Sequence, residues 1–99
     1  MSSHLEITPE AERDIFTIAA NIRIQDSLES AMHAVSELKK HLNTLAENPE
    51  SGRVGGCEGT REAIMTGLPY IAIYKKNNNS VMVLRVLHGA AERRSNKIY

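Results

Sequence analysis

Residues 67–89, Gly-Leu-Pro-Tyr-Ile-Ala-Ile-Tyr-Lys-Lys-Asn-Asn-Asn-Ser-Val-Met-Val-Leu-Arg-Val-Leu-His-Gly, decide the fold. Two apolar, partly β-branched runs, residues 70–74 and 80–88, flank the asparagines at 77–79. Asparagine tolerates the backbone of a tight turn, so the pattern predicts two paired strands at the centre of a sheet. Upstream, Gly67 to Pro69 turns the chain, and residues 60–65 read as another strand. Gly52, Gly55, Gly56 and Gly59 lead into it and read as a loop.

The first half of the chain has helical spacing. Thr8-Pro9 pairs a capping hydroxyl with a proline suited to a first helical turn, and Glu10 and Glu12 complement the positive end of the helix dipole. Ala11, Ile15, Ile18, Ala19 and Ile22 then share one face, predicting a helix to about Arg23. Asp26 and Glu29 read as a capping pair for a second helix. Its seam, Leu28, Ala31, Val35, Leu38, Leu42 and Leu45, advances by steps of three and four until Asn48-Pro49 stops it. The break at residues 24–27 favours an antiparallel helix hairpin over an intermolecular helix pair. Leu5 to Ile7 make a short first strand. The expected fold class is α+β, with an N-terminal strand, an α-helical hairpin and then a three-stranded antiparallel sheet, in a single domain over residues 1–99.

Composition narrows the function. Twelve basic and twelve acidic residues cancel, so attraction to nucleic acid or an anionic membrane must come from a local cluster. No apolar run nears the roughly 20 residues of a membrane span. The start of the chain lacks the basic-then-apolar design of a secretory signal, and the single Cys57 has no disulfide partner, so a cytoplasmic protein is expected. His4, His33, His41 and His88 are scattered, no ligand spacing for zinc is present, and neither metal nor cofactor is expected. The glycines near Cys57 lack the lysine and hydroxyl of a phosphate loop, and no base adjoins Cys57 to make it a nucleophile.

Arg61, Arg85, His88, Arg93, Arg94 and Lys97 are the chemically interesting group, since strands and a tail can gather them into one basic surface. Ordinary solvated charge is the alternative for each. His88 ends an apolar strand, where a structural hydrogen-bonding role competes with proton transfer.

Arg61-Glu62, then Gly67-Leu68-Pro69-Tyr70-Ile71-Ala72-Ile73-Tyr74, then Val83-Leu84-Arg85-Val86-Leu87-His88-Gly89-Ala90 together resemble the RelE/ParE toxin superfamily. The Pro-Glu-Ala start of the first helix and the exit from the second at Asn48, Pro49 and Gly52 extend the likeness over nearly the whole chain. The resemblance implies a toxin held by a cognate antitoxin protein, with operator DNA bound only through that antitoxin and no membrane partner. It leaves two activities open: DNA gyrase poisoning by ParE types, and ribosome-dependent messenger RNA cleavage by RelE types. A third alternative is an inactive member that binds its antitoxin and co-represses their operon.

Metal-free RNA cleavage needs a base, an acid and cations around the phosphate. RelE-type enzymes carry a basic residue directly after the first strand tyrosine, here Ile71, and lysines where this chain has Glu62 and Ile64. Their arginine beyond the strand-ending glycine falls on Ala91, and a gapless match puts their tail tyrosine on Lys97. A register shift would recruit Arg93 and Tyr99, giving His88, Arg93 and Tyr99 as a conditional catalytic set. ParE-like binding to gyrase needs no such set and is the favoured expectation. Its target-contact candidates are Arg61, Arg85, His88, Arg93 and Arg94, while Tyr70 and Tyr74 are expected to pack the sheet.

Overall fold

A computed structural model describes residues 4–55 and 59–89. The elements are β1 (His4–Ile7), α1 (Pro9–Gln25), α2 (Leu28–Glu47), β2 (Arg53–Val54), β3 (Arg61–Ile64), β4 (Tyr70–Lys76) and β5 (Ser80–His88). The two helices form an antiparallel hairpin against a single sheet, as their apolar faces require.

The sheet corrects the expected count. It has five strands, in the order β1-β5-β4-β3-β2. β1 does not stand apart: it pairs in parallel with β5, Leu5 beside Val81 and Ile7 beside Val83, with the helix hairpin inside the long connection that parallel pairing requires. The extra strand β2 lies inside the glycine-rich stretch read as a loop. It pairs antiparallel with β3, Arg53 opposite Glu62 and Val54 opposite Arg61. Two residues are too few to show an alternating pattern, and only the cross-strand Arg53–Glu62 pair marks them.

The central hairpin matches expectation, except that β4 continues past Tyr74 to Lys76. Asn77 N–H donates to Ser80 O across its turn at 2.9 Å. Buried on both faces from Ile71 to Tyr74, β4 has the continuous apolar character of an inner strand. The register shifts at Ile73/Tyr74, where Ile73 opposes Arg85 and Tyr74 opposes Val83. This bulge bends β5 ahead of its last four residues. Between β3 and β4, Gly67 adopts φ +81°, a left-handed conformation that suits glycine in this turn.

Helix ends follow local chemistry. Thr8 caps α1, its Oγ1 accepting from Ala11 N–H at 3.2 Å and donating to Leu84 O at 3.1 Å, so one side chain also ties the helix start to β5. The cap of α2 differs from expectation: Ser27, in an extended conformation, accepts from Ser30 N–H at 3.0 Å, while Asp26 closes α1. The hydroxyl lies one residue nearer the helix than the carboxylate and wins that position.

The core joins Ala11 and Ile15 of α1, Leu38, Leu42 and Leu45 of α2, Met65, and Ala72, Tyr74, Val81, Val83 and Val86 of the sheet. The predicted α2 seam is therefore buried in its C-terminal part. At its other end Leu28 is 56% exposed.

Candidate functional site

The basic residues singled out from the sequence separate into different settings. Arg85 Nε and Nη2 donate to Asp14 Oδ2 and Oδ1 at 2.7 and 3.0 Å, a bidentate pair bridging β5 and α1. The carboxylate raises the arginine's already high pKa through this hydrogen bonding, against the opposing effect of burial. Asp14 Oδ2 also accepts from Val86 N–H at 2.9 Å. β1 ends opposite Val83, so beyond that point no strand among the described residues pairs with β5 on this side, and Asp14 and Thr8 take its backbone groups instead.

Arg61 lies at the other side of the sheet, donating to Gly52 O at 2.9 Å and standing 3.3 Å from Glu50. The same corner holds Tyr74, fully buried, whose hydroxyl donates to Pro49 O at 2.8 Å and accepts from Gly52 N–H at 3.0 Å. Burial pushes the Tyr74 phenol above its ordinary pKa, with the Gly52 N–H acting the other way. A Cβ on Gly52 would meet the Tyr74 ring at 2.8 Å and Glu62 O at 2.9 Å, so this close approach requires glycine. Lys76 pairs with Glu50, whose carboxyl it holds below its ordinary pKa of 4.5. Tyr74 thus packs the sheet as expected.

His88 is exposed at the end of β5 and meets Tyr70 edge to face, with ring centroids 6.0 Å apart and planes at 87°. Burial pushes the Tyr70 phenol up from its ordinary pKa. The two rings flank a cleft of about 470 Å³ against α1. Arg93, Arg94, Lys97 and Tyr99 lie outside the described residues, as do Cys57 and Ala91. Among the described residues no three His, Cys, Asp or Glu side chains gather as a metal site, and no helix is long and apolar enough to cross a membrane.

The positions compared with RelE-type lysines carry different chemistry. Glu62 is 5% exposed and its Oε1 receives Nε and Nη2 of Arg53, each at 2.9 Å. Ile71 is buried and Ile64 exposed, and neither offers a charge to a phosphate.

An apolar groove between α1 and α2 was missed in the sequence. Phe16, Leu28 and Met32 line it at 75%, 56% and 64% exposure, with Ala19, Ala20 and Ala31 at its base. Its volume is about 470 Å³, and a shallower continuation past Phe16 reaches Glu12 and Arg13. Above these small alanines the large side chains stay exposed. The available signal was Phe16 and Met32, large apolar residues falling outside the buried stripes of their helices.

Architecture and sequence comparison agree on the class. The fold resembles a chain of the chromosomal ParDE toxin–antitoxin system from P. aeruginosa, with TM-score 0.77 and 20% identity over 88% of this chain and 96% of that one. It also resembles a chain of the RelBE2 toxin–antitoxin complex from Mycobacterium tuberculosis, with TM-score 0.67 and 20% identity over 89% and 92% of the two chains. This is the RelE/ParE toxin fold. The sequence model for the ParE toxin of type II toxin–antitoxin systems matches residues 5–93. A Sinorhizobium fredii (strain NBRC 101917 / NGR234) protein described as "Putative toxin Y4kP" is 35% identical over 81 residues, 82% of each chain. The chain belongs to the ParE toxin family, the ParE-like branch of the superfamily.

Proposed function

We propose that the chain arrests growth by ParE-like poisoning of DNA gyrase and is neutralised by a cognate antitoxin seated in the α1–α2 groove. The carrying observation is family membership together with Glu62, Ile64 and Ile71 at positions where RelE-type enzymes hold cations. Glu62 is neutralised by Arg53 inside the sheet, so this position supplies no countercharge to a scissile phosphate. A gyrase-binding toxin acts through its surface and needs none.

The groove supports the antitoxin half of the reading. Phe16, Leu28 and Met32 are the kind of apolar anchors that receive an amphipathic helix, with Arg23 at one end and Glu12 and Arg13 at the other available for polar registration. That the solved relatives come from toxin–antitoxin systems supports an antitoxin helix, rather than a membrane, as the occupant. Operator DNA is contacted through that antitoxin.

Expression in cells with and without the adjacent reading frame tests both halves. Growth arrest with DNA breaks, relieved by co-expressing the neighbour, is the expected result. Codon-linked cuts in ribosome-bound messenger RNA, lost on changing Arg93 or Tyr99, would replace gyrase with the ribosome. Unimpeded growth would instead favour a co-repressor.

A further inference from the structure

The cleft between α1 and the ends of β4 and β5 has its own chemistry, separate from the apolar groove. Thr17, Asn21 and Gln25 recur every four residues and form one stripe of uncharged donors and acceptors along its rim. Ile18, Ile22 and Val86 supply apolar surface, and the perpendicular Tyr70 and His88 rings close one end. Its volume of about 470 Å³ lies within the roughly 300–1,000 Å³ of small-ligand sites.

Three classes of ligand fit poorly. Among the described residues no lysine lines the cleft, and the nearby Arg85 guanidinium is held bidentately by Asp14, so these residues give a phosphate no strong countercharge. Asp14 is neutralised by that same arginine and offers little to a cation. An added peptide strand needs open backbone groups, but Val86 N–H is bonded to Asp14 and Leu84 O to Thr8. A neutral, planar group with a hydrogen-bonding edge fits best, because carboxamides read such edges in pairs and aromatic rings take its flat face.

We propose that the cleft formed by Thr17, Asn21, Gln25, Tyr70 and His88 is a subsite for an unpaired nucleobase. The base packs its face against the aromatic end while Asn21 and Gln25 bond its edge. This rests on the gyrase-poisoning reading for the source of the base, which is the DNA at the break made by gyrase, and it places a nucleic-acid contact on the toxin itself. RNA offers the same chemistry with an added 2′-hydroxyl.

NMR titration of the purified full chain with single-stranded five-nucleotide adenine and thymine DNA, their RNA counterparts and a matching duplex tests the site. The expected result is saturable shifts at Tyr70, His88 and the Asn21 and Gln25 amides with single strands and much weaker shifts with the duplex. Asn21→Ala and Gln25→Ala, both on exposed helix positions, each weaken single-strand binding about tenfold. Preference for RNA would keep the base subsite and move its source to a transcript. Equal duplex binding, affinity unchanged in both variants, or no shifts at millimolar oligonucleotide would overturn the proposal. Gyrase-dependent DNA breaks that persist undiminished in the Asn21→Ala, Gln25→Ala double variant would remove the subsite while leaving gyrase poisoning intact.

Discussion

The α1–α2 groove and the corner where α2 enters β2 differ in how completely the chain satisfies its own surface. At the corner, Tyr74 bonds both Pro49 and Gly52, Arg61 bonds Gly52 and faces Glu50, and Arg53 neutralises buried Glu62. In the groove, Phe16, Leu28 and Met32 remain largely exposed over a base of alanines. One region is finished by polar contacts within the chain. The other retains apolar surface that is left exposed, the surface proposed to receive the antitoxin, so changes in the two should separate stability from partner binding.

The largest effect is expected in the groove. Replacing Phe16 and Met32 together by glutamate should weaken antitoxin binding by at least about 100-fold, since buried anchors at interfaces contribute roughly 2 kcal/mol or more. Because both positions are exposed in the free protein, its urea midpoint should change little. Calorimetric titration alongside denaturation checks this, and parallel losses of binding and stability would erase the contrast between the regions.

The corner should respond in the opposite way. Tyr74→Phe leaves Pro49 O and Gly52 N–H without their hydroxyl partner and is expected to cost about 2 kcal/mol in urea unfolding, with antitoxin affinity of the folded fraction retained. Ser27→Ala should cost less, about 1 kcal/mol, by removing the cap of α2 at the end nearest the groove. Circular dichroism during thermal unfolding would separate this loss from any change in the assembled fold.

The smallest effect is electrostatic. Lys76 depresses the Glu50 pKa below 4.5, so the pair contributes above the unfolded-state value and is lost as pH falls through the lower folded-state value. Wild type and Glu50→Gln should therefore differ slightly in unfolding midpoint near neutral pH and converge in acid. Added salt should shrink the neutral-pH difference because Glu50 is exposed to solvent.

Legibility in the sequence followed the distance between interacting residues. β4 and β5 were readable because their apolar runs and turn residues are contiguous. The helix hairpin was readable because its spacing repeats over several turns. The parallel docking of β1 on β5 was not, since Leu5 and Val81 meet only after the intervening chain has folded. β2 was hidden by its two-residue length. Arg85 stood out as a cation, but its partner Asp14 is 71 positions away, so its role in fastening α1 to β5 had no local signature. Arg61 likewise became interpretable only beside Gly52 and Glu50. Leu28 showed the limit of periodicity: it kept the seam's spacing while lying beyond the reach of the sheet, where the seam becomes groove.

The remaining separation is between a toxin that acts by holding gyrase and one that cuts a transcript. Purified gyrase, ATP and supercoiled DNA incubated with increasing amounts of this chain give the most direct measurement. Denaturation and proteolysis should release linear DNA in a toxin-dependent and gyrase-dependent manner, and prior addition of the antitoxin should prevent it. Fully intact DNA with uninterrupted supercoiling at saturating, folded toxin would contradict gyrase poisoning.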